Sequence, residues 1–113
     1  MSVVSQGIRD FVNKAIKDNK VMIFSKSYCP YCIRAKDLFD DIEVDYKALE
    51  LNDHKDGEAI QTVLKELTNQ NTVPNIFINQ HHVGGSDSLR SALKSGKLER
   101  LFKEAAINYS KLK

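Results

Sequence analysis

Residues 21–51 read VMIFSKSYCPYCIRAKDLFDDIEVDYKALEL, and their pattern of apolar residues predicts a strand, a helix and a second strand. The apolar run 21–25 is typical of a buried strand, and apolar and polar residues alternate over 44–51 as in a strand. Between them, apolar residues recur at helical spacing over 35–42, and Pro30 suits the first turn of a helix. A βαβ unit of this kind has parallel strands and a right-handed crossover. The stretch therefore predicts an α/β fold.

The flanking segments add helices and a hairpin to this unit. Helical spacing predicts a helix that ends near Asp18-Asn19 and another over 60–67. Segments 75–79 and 81–83 read as two short strands joined at Asn79-Gln80. The remaining predicted features are a break at Gly84-Gly85, a helix capped by Ser86 or Asp87, and a last helix after Gly96. We therefore expect one domain, residues 1–113, with a small mixed sheet covered by helices on both faces.

Composition limits the classes of protein to which the chain can belong. Its 113 residues suit one domain, and 17 basic against 15 acidic residues leave a net charge of only +2. This balance does not favour a nucleic-acid or membrane partner. No secretory signal or membrane-spanning apolar stretch is visible, so we expect a cytoplasmic protein. In that compartment a closely spaced cysteine pair is more often catalytic or metal-binding than structural.

The two cysteines, Cys29 and Cys32, lie at the junction of the first strand and the following helix. Residues three apart share a helix face, so the sulfurs can meet, but a disulfide closing so small a loop stabilises little. The helix N-terminus favours a thiolate at Cys29. We expect Cys29 to be the nucleophile and Cys32 the more shielded, resolving thiol. Lys26 can add positive potential, whereas Arg34 is expected to be an ordinary solvated charge.

A zinc site is the main alternative for the cysteine pair. Structural zinc takes four protein ligands, and the only other candidates are His54, His81 and His82. His81 and His82 are adjacent in a predicted strand, so their side chains point to opposite faces of the sheet. No metal site is therefore predicted.

Three separated motifs together carry a resemblance to a known family. They are Lys26-Ser-Tyr-Cys29-Pro-Tyr-Cys32, Thr72-Val73-Pro74 and Gly84-Gly85-Ser-Asp87. In this order and spacing they resemble a dithiol glutaredoxin of the CPYC class. The resemblance implies a thioredoxin-like fold with strand order 2-1-3-4 and glutathione-dependent disulfide oxidoreductase activity. It implies no tightly bound cofactor, glutathione as cosubstrate, and glutathionylated or disulfide-containing proteins as partners. By default we expect a monomer.

The resemblance also assigns roles to individual residues. Cys29 attacks and Cys32 resolves, and the peptide bond before Pro74 is cis. The expected glutathione contacts are Lys26 and Gln61 at the glycine carboxylate, Tyr31 and the Val73 backbone at the cysteinyl part, and Asp87 and Ser88 at the γ-glutamyl end.

The chain departs modestly from the family pattern: Asn79-Gln80 stands at the hairpin where several members have Asn-Gly or a similar pair, and Asn69 and Ser88 also differ. Asn69 stands where many members have glycine, and asparagine also tolerates a left-handed turn. Ser88 stands where an acidic residue is frequent, which can alter the affinity for glutathione. Two other functions remain open. A glutathione-ligated [2Fe-2S] carrier is disfavoured by Pro30, and a thioredoxin-type reductant is disfavoured by the absence of tryptophan.

Overall fold

The computed structural model describes residues 4–110, and it contains four strands and five α-helices within that range. In chain order the elements are α1 (Gln6–Asp18), β1 (Val21–Ser25), α2 (Pro30–Asp41), β2 (Lys47–Glu50), a 3₁₀ turn (Leu51–Asp53), α3 (Gly57–Thr68), β3 (Asn75–Ile78), β4 (His81–Gly84), α4 (Ser86–Ser95) and α5 (Lys97–Glu104). None of these helices is long and apolar enough to cross a bilayer.

The four strands form one mixed sheet in the order β2-β1-β3-β4. Strand β1 is parallel to β2 and antiparallel to β3, and β4 is antiparallel to β3. This confirms the βαβ unit and the predicted strand order. All five residues of β1 are buried, which explains why its first four residues are all apolar and do not alternate with polar ones.

A hydrophobic cluster covers each face of the sheet, as expected for helices on both sides. Ile23 of β1 packs in the cluster that includes Phe39 of α2, Leu89 of α4 and Phe102 of α5. The next residue, Phe24, packs in the opposite cluster with α1 and α3. Successive strand residues point to opposite faces, so neighbours in one short strand contribute to different cores.

The predicted hairpin between β3 and β4 is confirmed, and its turn has a definite backbone conformation. Asn79 and Gln80 both have positive φ angles, 49° and 69°. Two such residues in a row fit the twist of the flanking strands. Asn69, at the C-cap of α3, also has a left-handed backbone conformation, with φ 62°. This is the conformation that asparagine was expected to tolerate there.

Two local predictions were wrong. The strand predicted over 44–51 is shorter, because the N–H of Val44 donates to the carbonyl of Phe39 (2.9 Å) and Leu51 begins the 3₁₀ turn. Val44 is thereby bound to the end of α2, and pairing with β1 begins only at Lys47. At α4 the N-cap is Gly85, and neither Ser86 nor Asp87 caps the helix, since both already belong to its first turn.

Candidate active site

Cys29 occupies the N-cap of α2, and Pro30 is the first residue of that helix. The carbonyl of Cys29 accepts the N–H of Ile33 (3.1 Å), and its own N–H donates to the carbonyl of Lys26 (3.0 Å). The half-buried Cys29 side chain therefore lies at the end of the helix where backbone N–H groups have no helical partner. This confirms the position predicted for Cys29 at the strand-to-helix junction.

Cys32 lies one turn further into α2, and the two thiols differ in exposure. Cys32 has no exposed surface, whereas Cys29 is only partly buried. Both are free cysteines in this structure. A reagent or substrate from solution can therefore reach Cys29, while Cys32 is shielded behind it.

The surroundings shift the pKa of the two thiols in opposite directions. Partial burial raises the pKa of Cys29, but hydrogen bonds from the Cys32 backbone, the Cys32 thiol and the Tyr31 backbone, together with the charge of Lys26, bring it below the ordinary value. Burial raises the pKa of Cys32, and the neighbouring Cys29 raises it further. Hydrogen bonds from the Lys26 backbone and the Ser25 hydroxyl offset only part of this increase. Cys29 is thus the readier thiolate.

The loop that leads into β3 forms the second wall of the site. The Val73–Pro74 peptide bond is cis, as the resemblance implied, and Pro74 is buried. The carbonyl oxygen of Val73 lies 4.0 Å from the Cys29 sulfur, close enough to accept a hydrogen bond from the protonated thiol. Gln70 braces this loop, because its amide nitrogen donates to the carbonyls of Thr72 (3.1 Å) and Pro74 (3.0 Å).

Lys26 and Gln61 lie together on one side of the cysteines. Both line an open depression of about 570 Å³ between the loop after β1 and the start of α3. The amide nitrogen of Gln61 also donates to the carbonyl of Asn71 (3.0 Å), which ties α3 to the loop before Pro74. Their joint contact with a glycine carboxylate stays a prediction, but the fold does bring the two side chains to the same depression.

Tyr31 is exposed in the first turn of α2, with 55% of its surface accessible. The guanidinium carbon of Arg34 lies 5.5 Å from the centre of the Tyr31 ring. Arg34 was expected to be an ordinary solvated charge, and its exposed position agrees, yet it also holds the ring by a cation–π contact. The basic side chain whose charge lowers the pKa of Cys29 is Lys26 and not Arg34.

Asp87 and Ser88 are exposed in the first turn of α4. They line a separate depression of about 460 Å³, which contains neither Lys26 nor Gln61. The start of α4 nevertheless lies beside the Val73–Pro74 loop, since a Cβ atom on Gly85 would be 3.6 Å from the Pro74 carbonyl oxygen. The two expected ends of a glutathione site are therefore joined by this loop, and their contact with one ligand stays a prediction.

Sequence reasoning missed two residues that hold the site in place. Asn52 donates to the Ser27 hydroxyl (2.8 Å) and accepts the Ser27 N–H (3.0 Å), so it fixes the loop before Cys29. Gln70 fixes the loop before β3. Neither belongs to a periodic apolar pattern, and each acts on backbone or hydroxyl groups. Gln70 stands just before the Thr72-Val73-Pro74 motif, which was a local signal, whereas Asn52 is far from every motif in the sequence.

Of the histidines considered as zinc ligands, His54 lines the depression that contains Lys26 and Gln61, whereas His81 and His82 lie in β4. His54 accepts the N–H of Asp56 (2.9 Å), and His82 contacts the amide oxygen of buried Asn75 (2.8 Å). Over residues 4–110, no group of three or more histidine, cysteine or carboxylate side chains is arranged to hold a metal ion.

The sequence model of the Glutaredoxin family matches residues 21–83, which is more than half of the chain and includes both cysteines and the Val73–Pro74 bond. The chain belongs to the glutaredoxin family. It is 50% identical over 94 residues to glutaredoxin-1 of Rhizophagus irregularis, covering 83% of this chain and 93% of that one. It is 46% identical over 100 residues to glutaredoxin-C4 of Arabidopsis thaliana, covering 88% and 74%.

Solved structures of other glutaredoxins share the fold. A mutated buckwheat glutaredoxin superposes with a TM-score of 0.87 at 37% identity, covering 91% of this chain and 94% of that one. A buckwheat glutaredoxin–glutathione complex superposes with a TM-score of 0.85 at 36% identity, covering 92% and 98%. The expected thioredoxin-like fold is thereby confirmed, and membership of this family makes the chain a thiol–disulfide oxidoreductase.

Proposed function

We propose that this glutaredoxin uses glutathione to reduce protein–glutathione mixed disulfides and protein disulfides, with Cys29 as nucleophile and Cys32 as resolving thiol. The observation that carries the proposal is the inequality of the two sulfurs. Cys29 is accessible at a helix N-terminus and its pKa is lowered, whereas Cys32 is fully buried and its pKa is raised. An accessible thiolate can attack a disulfide, and a buried thiol one turn away can complete the exchange.

Removal of glutathione from a protein needs only Cys29. Its thiolate attacks the glutathione sulfur of the mixed disulfide, so the bond to the substrate sulfur breaks and the substrate leaves as a thiol after taking up a proton. A second glutathione then attacks the Cys29–glutathione disulfide. This step regenerates the Cys29 thiolate and produces glutathione disulfide, and the exchange requires no metal or flavin.

Reduction of a protein disulfide uses both cysteines. Cys29 forms a mixed disulfide with one substrate sulfur, and Cys32 then attacks Cys29. The substrate leaves as a dithiol, and a disulfide remains between Cys29 and Cys32. Two glutathione molecules reduce this disulfide and are themselves oxidised to glutathione disulfide.

The expected glutathione site follows the Val73–Pro74 loop. The Val73 backbone would pair with the cysteinyl part of the tripeptide as a strand edge does, beside the exposed Tyr31 ring. Lys26 and Gln61 would bind the glycine carboxylate, and Asp87 and Ser88 at the start of α4 would bind the γ-glutamyl group. The similar buckwheat glutaredoxin was solved as a complex with glutathione, which supports glutathione as the ligand. We further propose a cytoplasmic monomer that acts on glutathionylated or disulfide-containing proteins.

Paired substitution of the cysteines tests this function. Turnover of a small glutathione mixed disulfide would be measured with glutathione, NADPH and glutathione reductase. We expect Cys29→Ser to abolish turnover and Cys32→Ser to keep most of it, since only Cys29 is needed for this route. Reduction of a protein disulfide should be lost in both variants. Loss of both activities in Cys32→Ser would contradict the assigned roles, and turnover with thioredoxin reductase alone would indicate a thioredoxin-type reductant.

A further inference from the structure

The side chain of Gln70 binds two backbone carbonyls of the loop before β3. Its amide nitrogen donates to the carbonyl of Thr72 (3.1 Å) and to that of Pro74 (3.0 Å). The amide nitrogen of a glutamine has two hydrogens to donate, so both are used within this loop. The two carbonyls stand before and after Val73 in the chain. One side chain therefore fixes the backbone on both sides of Val73.

Gln70 is itself held by other parts of the fold. Its backbone N–H donates to the hydroxyl of Thr68 (3.2 Å), and that hydroxyl donates to the carbonyl of Leu64 in α3 (2.7 Å). The partly buried side-chain amide lies against the segment that leads into α4. A Cβ atom on Gly84 would be 3.8 Å from Oε1 of Gln70, and one on Gly85 would be 3.9 Å from its Nε2. The amide is therefore a packed support that connects α3, the loop before β3 and the start of α4.

Val73 is the residue of this loop whose backbone stays available to a ligand. The carbonyl of Asn71 is bound by Gln61 (3.0 Å), so among residues 4–110 the carbonyl of Val73 is the only one from 71 to 74 that accepts no amide hydrogen. Within the same range the N–H of Val73 has no hydrogen-bond partner, and its carbonyl has only the Cys29 sulfur at 4.0 Å. Val73 is partly exposed, so both groups can pair with an extended ligand as the edge of a strand does.

We propose that Gln70 is a positioning residue for glutathione, which holds the Val73 backbone in the orientation that pairs with the cysteinyl part of the tripeptide. This inference rests on the glutathione site proposed above. A loop that is already fixed loses less conformational entropy when the ligand binds. Gln70 contacts neither the ligand nor the reacting sulfurs in this arrangement. It therefore favours disulfides that carry a peptide backbone and leaves the intrinsic reactivity of Cys29 unchanged.

The reaction that tests this role is the attack of Cys29 on oxidised glutathione. The Cys29 thiolate forms a bond to one glutathione sulfur, and the bond between the two glutathione sulfurs breaks. One half stays on Cys29 as a mixed disulfide, and the other half leaves as a thiolate that takes up a proton. Cys29 is thereby oxidised, and the departing glutathione is reduced. In a Cys32→Ser chain the exchange stops at this point, so its rate can be followed from the mass of the protein.

The first experiment compares oxidised glutathione with cystamine, which has the same disulfide between methylene groups but no peptide bond. Each disulfide is reacted with the Cys32→Ser chain and with the same chain carrying Gln70→Met, and adduct formation is followed by mass spectrometry. Methionine has a similar length and no hydrogen to donate. We expect Gln70→Met to slow the reaction with oxidised glutathione about tenfold and to change the reaction with cystamine by less than about twofold. Equal slowing of both reactions, or no slowing of either, would overturn the proposal.

Gln6→Met is the matched control. The amide nitrogen of Gln6 also donates a hydrogen bond, to Asp10 (2.9 Å), but both residues belong to the exposed surface of α1. We expect both disulfides to react at the rates of the Cys32→Ser chain. A tenfold loss with oxidised glutathione in Gln6→Met as well would show that the effect is not specific to the loop around Val73, which contradicts the proposal.

Gln70→Asn supplies a second measurement. This change keeps the amide but shortens the side chain by one methylene group, so that the nitrogen falls short of the carbonyls of Thr72 and Pro74. We expect the reaction with oxidised glutathione to be slowed as in Gln70→Met, again with the cystamine rate retained. A parent-like rate with oxidised glutathione would show that the reach of the amide is irrelevant and would contradict the proposal. Circular dichroism establishes that each variant is folded before the rates are compared.

Failure of this inference is distinguishable from failure of the proposed function. The urea-unfolded Cys32→Ser chain gives the intrinsic ratio of the rates with oxidised glutathione and cystamine, and the folded chain should exceed that ratio. If it does not, the chain has no preference for glutathione, and the proposed glutathione site is wrong together with the role of Gln70. If it does, and Gln70→Met keeps the full preference, only the inference about Gln70 fails.

Discussion

The sulfur of Cys29 lies 4.0 Å from the carbonyl oxygen of Val73, although the two residues are 44 positions apart in the chain. One wall of the site is thus the N-terminus of α2, and the other is the backbone of the loop before β3. An extended peptide can pair with such a backbone edge. A peptide-like thiol that paired with the Val73 backbone, as proposed above, would have its own sulfur close to that of Cys29.

The reactivity of Cys29 should extend to lower pH than that of an ordinary cysteine. Its pKa is lowered in the folded chain, so the thiolate is populated at pH values where the thiol of the unfolded chain stays protonated. Alkylation of the reduced protein, mapped by mass spectrometry, should show a midpoint for Cys29 below that of the urea-unfolded chain. Because the folded pKa is the lower one, the associated stabilisation is present above the unfolded pKa. It is lost as pH falls through the folded pKa.

Lys26→Met tests the cause of this shift. The charge of Lys26 contributes to the lowered pKa of Cys29, so its removal should move the alkylation midpoint to higher pH. Lys94→Met, which removes an exposed charge from the last turn of α4, is the control and should leave the midpoint unchanged. An unchanged midpoint in Lys26→Met would contradict the contribution of Lys26. A Cys29 midpoint in the parent chain at or above that of the unfolded chain would contradict the lowered pKa itself.

Asp87 should contribute to glutathione binding at the γ-glutamyl end of the expected site. Asp87→Asn removes a charge beside the γ-glutamyl end, so we expect KM for glutathione to rise about threefold, with kcat nearly unchanged. The steady-state assay with glutathione reductase measures both constants. Asp53→Asn, an acidic residue in the 3₁₀ turn, should change neither constant. An unchanged KM in Asp87→Asn would remove Asp87 from the predicted site.

Gly57 should resist replacement by any residue that carries a Cβ atom. Such an atom would lie 2.0 Å from the carbonyl oxygen of Leu51, whose side chain is buried. We expect Gly57→Ala to lower the free energy of unfolding by about 3 kcal/mol, because either the 3₁₀ turn or α3 must shift. Urea unfolding followed by circular dichroism measures this change.

Gly7→Ala is the matched control in another helix. A Cβ atom at Gly7 would meet nothing closer than the Ser5 hydroxyl at 3.8 Å. Alanine also lowers the entropy of the unfolded chain, so we expect a gain of about 0.5 kcal/mol. Equal losses of stability in both variants would show that the contact with Leu51 is not the cause.

Predictions from the sequence were accurate where the signal was local. The run 21–25 coincides with β1, and Pro30 begins α2 as predicted. The turn at Asn79-Gln80 is also where the sequence placed it. The length of β2 was overestimated, because alternation of apolar and polar residues continues beyond the segment that is hydrogen-bonded to β1. A residue such as Val44 can be buried without being part of a strand.

The sequence by itself determined the order of the elements, the position of the cysteine pair at a helix start and, through three motifs, the family. Each depends on neighbours a few positions apart or on the order of short motifs. Only the tertiary structure decided that Cys32 is fully buried, that the Val73 carbonyl contacts Cys29, and that the Ser25 hydroxyl donates to Glu50. These relationships join residues from different strands, helices and loops. Their distances depend on how the helices pack on the sheet, and no periodicity in the chain encodes them.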